Sequence, residues 1–145
     1  MQRQIESFSA AETRALGEQC GKEAAAGEVY ALTGDLGVGK TVFSQGFAAG
    51  LGIRGPVNSP TFTILQIYEG GRLPFYHMDA YRLEDEDEFE AIGGCEYLDG
   101  DGVCLIEWSD RIRGLLPRGT VTVEIRKDLS RGTDYRLITL SREEA

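Results

Sequence analysis

Residues 28–41 read EVYALTGDLGVGKT, and the fold turns on how they are read. Glu28–Thr33 is a short, mostly apolar run that stops at a glycine, the pattern of a buried strand. Residues 34–41, GDLGVGKT, match G-x-x-x-x-G-K-[ST] in full. Gly34 and Gly39, with Gly37 between them, let the backbone curl until several N–H groups face one centre. Lys40–Leu51 then reads as a helix ended by Gly52, and its N-terminus offers the positive end of its dipole to the same centre. Such a centre suits phosphate. Lys40 can reach β- and γ-phosphates, and the Thr41 hydroxyl can bind Mg²⁺. The expected nucleotide-contacting stretch is therefore Gly34, Asp35, Leu36, Gly37, Val38, Gly39, Lys40, Thr41 and Val42. An ordinary glycine-rich turn is the plain alternative. The strand before and the helix after, which the motif requires, weigh against it.

ATP is favoured over GTP. Guanine-reading loops commonly carry N-K-x-D, and the sole asparagine, Asn58, is followed by serine.

Outward from the loop, the elements alternate. Ser9-Ala-Ala-Glu12 is a capping box, so a helix is expected from about Ala10 to Ala26, ended by Gly27. Thr61–Tyr68 and Arg72–Met78 flank Glu69-Gly70-Gly71 and read as a hairpin, with Pro74 marking an irregular or edge position. Asp85–Ile92 is a short acidic helix closed by Gly93-Gly94. Val103–Ile106 is another buried strand, Trp108–Gly114 a helical turn, and Thr120–Lys127 with Asp134–Ser141 a final hairpin. The expectation is an α/β fold: a P-loop NTPase-like, three-layer domain whose sheet is mixed parallel and antiparallel.

The chain has 145 residues, enough for one compact domain spanning 1–145 and a core without staples. It carries 24 acidic against 15 basic residues, a net charge of -9, which suits nucleic acid poorly. If RNA matters, a partner supplies the contact. Cys20, Cys95 and Cys104 are odd in number and widely spaced, so neither a disulfide framework nor a zinc site fits. The first sixteen residues lack the apolar stretch of a signal peptide, and no apolar run reaches membrane length. The cytoplasm is the expected location.

Hydrolysis needs more than a phosphate loop. Val103–Glu107 is an apolar strand ending in an acid, the Walker B arrangement with glutamate in place of aspartate. Glu107 there can hold Mg²⁺, directly or through water. A buried strand ending in an acid is common without any such role. Asp79 closes a second strand and can orient water or support the metal; capping a turn is its simpler role. His77, the only histidine, reads as a packed or hydrogen-bonded strand residue. Arg82 suits a phosphate, a carboxylate or a surface ion pair. Asn58–Phe62 is a hydroxyl-rich loop of the kind that senses a γ-phosphate, with Ser59 and Thr61 as candidate switch residues, though N-S-P is also a standard turn. Trp108 packs either near nucleotide or in the core. Glu84–Glu90 is a solvated face or a dock for a basic partner.

GDLGVGKT, NSPTF, HMDAYRL and LIEWSDR follow one another between residues 34 and 111. Together they resemble the TsaE (YjeE) family, bacterial P-loop ATPases of tRNA threonylcarbamoyladenosine (t6A) biosynthesis. The resemblance spans nearly the whole chain. It implies that Thr41 and Glu107 hold Mg²⁺, Lys40 contacts phosphates and Asp79 takes part in hydrolysis. It implies that Thr61 belongs to a nucleotide-responsive switch and that Trp108 lies by the nucleotide. It also implies TsaD and TsaB as partners, with tRNA met only through them and hydrolysis resetting the pair between turnovers. Two rivals share the binding residues. A small P-loop kinase needs an acceptor pocket and an arginine-rich lid, for which the short inter-motif stretches leave little room. A non-catalytic ATP-sensing switch differs only in whether Asp79 and Glu107 support turnover.

Overall fold

The computed structural model describes residues 2–34, 39–55, 57 and 65–142. Its elements are β1 (Gln2–Ser7), α1 (Ala10–Glu23), β2 (Val29–Thr33), α2 (Lys40–Gly50), β3 (Leu65–Tyr68) and β4 (Phe75–Asp79). They continue with α3 (Glu86–Ala91), α4 (Gly94–Leu98), β5 (Val103–Glu107), a 3-10 stretch (Ser109–Leu115), β6 (Val121–Lys127) and β7 (Arg136–Arg142). The strands form one seven-stranded sheet in the order β1-β7-β6-β2-β5-β4-β3. The inner strands β6, β2, β5 and β4 run parallel, while β7, β1 and β3 each pair antiparallel. The expected mixed α/β sheet is the observed one.

Strand parity sorts the core onto two faces. Tyr30, Leu32, Phe75, Leu105, Val123 and Ile138 pack with Phe43 and Phe47 of α2 and with Leu51, its C-cap. Val29, Met78, Cys104 and Ile106 pack with Leu83, Phe89, Leu98 and Ile112 on the other side. The central strands β2 and β5 are thus covered on both faces, which is why VYALT and VCLIE are nearly unbroken apolar runs. Helices on each side of the sheet make three layers.

Several boundaries differ from the sequence expectation, each for a local reason. β1 was not expected: QRQIES holds one large apolar residue, Ile5, and forms an edge strand mainly through its ladder with β7. Helix α1 starts at Ala10 behind the Ser9 cap, whose side chain accepts from the Glu12 N–H, but it stops at Glu23 rather than Ala26. There the Arg72 guanidinium donates to the carbonyls of Gly21 and Ala24 at 2.8 Å and takes over the helix's terminal acceptors. β4 begins at Phe75 instead of Arg72, because Pro74 has no N–H to give the ladder and Arg72 is committed to α1. Gly93-Gly94 separates two helices rather than closing one: Gly93 sits at φ 80° and α4 starts behind it. The expected strand Thr61–Tyr68 is seen from Leu65 onward; residues 58–64 lie outside the described residues. The three cysteines are unpaired, and burial pushes the Cys20 thiol up to about 11 and the Cys104 thiol up to about 12.

Helices α1 and α2 touch backbone to backbone. Gly17 and Gly21 on α1 meet the carbonyls of Phe43 and Phe47; Gly46 and Gly50 on α2 meet those of Arg14 and Glu18. A Cβ on Gly46 would lie 2.1 Å from the Arg14 carbonyl oxygen. This contact sets α2, and with it Lys40, against the sheet. Gly46→Ala must push the helices apart, and it is expected to lower stability by about 1–3 kcal/mol, read from the urea unfolding midpoint.

Candidate functional site

Parallel pairing brings three strand ends to one edge. Leu32 of β2 is in register with Glu107 of β5, and Glu107 with Asp79 of β4. Gly34 lies two residues beyond Leu32 and opens the glycine-rich loop. Glu107 shares the parity of Leu105, and Asp79 that of Phe75, so both acids lie on the face that packs against α2. Both are buried, 4% and 3% exposed. Burying a carboxylate is costly unless something compensates, so a pair here is a functional signal.

Lys40 opens α2 behind Gly39, which caps the helix at φ 103°, a left-handed conformation that suits glycine. The Lys40 side chain is buried; its Nζ donates to the Gly34 carbonyl at 2.9 Å. The same Nζ lies 3.7 Å from the centroid of the Trp108 ring, a cation–π contact worth about 0.5–2 kcal/mol. Thr41 is exposed and Val42 half-buried at the helix start, where backbone N–H groups lack intrahelical partners. Asp35, Leu36, Gly37 and Val38 lie outside the described residues, as do the candidate switch residues Ser59 and Thr61.

Trp108 directly follows Glu107 and is the one non-glycine residue at positive φ among the described residues (φ 57°, ψ 39°). Holding a non-glycine residue there costs about 1–2 kcal/mol, and such strain persists where surroundings enforce it. The indole sits between Lys40 and Tyr81, whose ring is 4.9 Å away, and the Arg111 guanidinium lies 5.6 Å over Tyr81. Of the two sequence readings of Trp108, the structure places it beside the phosphate-loop lysine, with its other contacts in the core of the second face.

Asp79 Oδ1 accepts from the Tyr81 N–H at 2.8 Å, so this acid does cap the turn after β4. The Ala80 N–H donates to the Glu107 carbonyl at 2.9 Å, which locks that turn to the end of β5. His77 is buried, and its Nε2 lies 2.8 Å from Glu107 Oε2. The hydrogen-bonded reading of His77 stands, and its partner is the candidate metal ligand. Arg82 is exposed on the turn beyond.

Magnesium is normally held by one or two protein oxygens together with phosphate oxygens and water. Thr41 and a buried Glu107 supply that kind of donor set. Among the described residues no cluster of three or more His, Cys, Asp or Glu could hold a metal by itself.

A hollow of about 450 Å³ opens beside the loop, lined by Thr33, Gly34, Trp108, Asp110, Arg113, Thr122 and Glu124. Its sheet residues alternate with Leu32 and Val123, so it lies on the face away from α2. Asp110 falls inside the LIEWSDR stretch but was given no role there, and Arg113 lies two residues beyond it.

A parallel-centred sheet, a strand–glycine loop–helix unit and acids at neighbouring strand ends define a P-loop α/β protein. Its architecture matches the crystal structure of YdiB from Bacillus subtilis, with a TM-score of 0.83 and 39% identity over 99% of this chain and 87% of that one. The family model for the Threonylcarbamoyl adenosine biosynthesis protein TsaE matches residues 7–135, and the chain belongs to the TsaE family. Two relatives named tRNA threonylcarbamoyladenosine biosynthesis protein TsaE are similar over most of their length. That of Bacillus subtilis is 48% identical, covering 90% of this chain and 79% of its own; that of Treponema pallidum is 47% identical, covering 83% and 88%. Among the described residues no helix is long and apolar enough to cross a membrane.

Trp108 is the only tryptophan, so its emission reports on this site alone. Lys40→Ala removes the cation from the indole face, and the nucleotide-free spectrum is expected to shift. Lys22→Ala, an exposed change on the last turn of α1, is expected to leave the spectrum as in wild type.

Proposed function

We propose that this chain binds ATP with Mg²⁺ at the Gly34–Val42 loop and hydrolyses it as an accessory step in the t6A modification of tRNA. The observation that carries the reading is the register of Asp79 with Glu107, two buried acids at neighbouring strand ends beside Lys40. In this reading the backbone N–H groups at the start of α2 and the Lys40 ammonium bind the phosphates. Thr41 and Glu107 hold the metal, which neutralises charge building on the phosphate oxygens. Asp79, whose Oδ1 accepts from the Tyr81 N–H and so holds the carboxylate at the strand end, orients the attacking water. Lys40 exchanges its Gly34 carbonyl and Trp108 contacts for phosphate. An exposed aromatic stands at the same edge of the sheet: Phe8 follows β1 and meets Tyr135 edge-on at 5.5 Å, which gives a base a ring to lie against.

Catalysis by positioning and charge neutralisation, with no arginine finger assigned, predicts slow turnover by the protein alone. A TsaB–TsaD-type pair is the proposed partner, and the acidic balance of the chain leaves tRNA contact to that pair. The Asp79 cap is the observation that favours a switch without turnover, since a capping acid needs no catalytic role. Asp79→Asn separates the two readings, because asparagine keeps the Oδ1 acceptor for Tyr81. The expected outcome is unchanged ATP affinity and unchanged melting, with steady-state hydrolysis lowered about 10²-fold or more. Hydrolysis at the wild-type rate would favour the switch.

A further inference from the structure

His77 has features that packing alone does not require. It lies in mid β4 on the same face as Phe75 and Asp79 and is 1% exposed. Its ring stacks on Phe75, with centroids 5.5 Å apart and planes 14° from parallel. Nε2 meets Glu107 Oε2 at 2.8 Å, whereas the buried Nδ1 has no hydrogen-bond partner among the described residues. Buried polar atoms are nearly always paired, and leaving one unpaired costs about 1–3 kcal/mol. A histidine kept for a structural network would use both nitrogens. One kept only to fill space would be replaced by an apolar side chain at lower cost. Among the described residues, this one leaves Nδ1 without a partner and commits Nε2 to Glu107.

The register explains the contact. His77 pairs with Leu105, and Glu107 lies two residues further along the neighbouring parallel strand on the same face. The hydrogen bond therefore runs diagonally between strands and pins the glutamate at one oxygen. Asp79, itself a carboxylate, has no N–H to donate to Glu107.

We propose that His77 is a positioning residue for magnesium binding: Nε2–H fixes Glu107 through Oε2, so that Oε1 faces the metal–phosphate side in a set orientation. The inference rests on the metal role proposed above for Glu107. An unrestrained glutamate at a strand end samples several rotamers and loses them when it binds a metal. Here the fold has already removed that freedom. Outer-shell partners of this kind typically change metal affinity about 10–100-fold.

The test is a magnesium titration at a fixed concentration of a non-hydrolysable ATP analogue, followed by calorimetry and Trp108 emission. It compares wild type with His77→Gln, His77→Asn and His77→Leu. The glutamine amide nitrogen falls near the position of Nε2, and the asparagine amide near Nδ1. His77→Gln is expected to keep magnesium affinity within a few-fold of wild type, whereas Asn and Leu are expected to weaken it about 10–100-fold. Binding of the analogue in EDTA is expected to be equal in all four. Should Leu not fold, the contrast between Gln and Asn, two polar amides, carries the test. Wild-type magnesium affinity in Asn or Leu overturns the inference, and so does an equal loss in Gln, which would assign the effect to packing. A wild-type protein that binds the analogue with no magnesium dependence overturns the site reading itself, a result distinct from either.

Discussion

Parallel pairing of β2, β5 and β4 is the constraint on which the rest of the structure depends. Parallel strands all point their C-terminal ends the same way, so whatever follows them gathers at one edge. Here that edge receives the glycine loop after β2, Glu107 at the end of β5 with Trp108 behind it, and Asp79 at the end of β4 with the turn that follows. The acids are neighbours because Asp79 and Glu107 are in register; a slip of one residue would move one of them to the opposite face. Burial of β2 and β5 on both sides makes such a slip costly. The apolar core therefore fixes the polar site, and it does so through register.

Several features of the site oppose folding. Two buried carboxylates, a buried lysine, a histidine nitrogen without a partner among the described residues and a left-handed tryptophan each cost free energy. They are offset by contacts that also set orientation. Lys40 lies on the Trp108 face, Glu107 is tied to His77, and Asp79 caps its own turn. Trp108 links two of these, since its left-handed backbone turns the chain immediately after Glu107 and brings its ring under Lys40. The backbone-level contact of α1 with α2 supplies rigidity from the far side of the loop.

Much of this was legible in the sequence, for identifiable reasons. GDLGVGKT has fixed positions because the phosphate loop needs specific backbone shapes and a specific cation, and that need survives any tertiary context. VYALT and VCLIE announced buried parallel strands by their unbroken apolar runs. The acids at strand ends could be found because a strand's end is visible from sequence. Other parts depended on tertiary contacts. β1 is recruited by its ladder with β7, and QRQIES carries little apolar signal of its own. The end of α1 is set by Arg72, some fifty residues away in sequence. The diagonal that joins His77 to Glu107 appears only once β4 and β5 are in register, so the one histidine read as an ordinary strand residue. Arg113 and Asp110 line a hollow built from three separate elements, which no local pattern encodes.

The proposed ATP hydrolysis at this edge, in the service of a tRNA-modifying assembly, has one most direct test. ATP hydrolysis with magnesium is measured for wild type and Thr41→Ala, each alone and with a purified TsaB–TsaD pair. Slow turnover by the wild type alone, strong stimulation by the pair and loss of that stimulation in Thr41→Ala are expected. Turnover that ignores the pair, or stimulation that survives Thr41→Ala, would contradict the proposal.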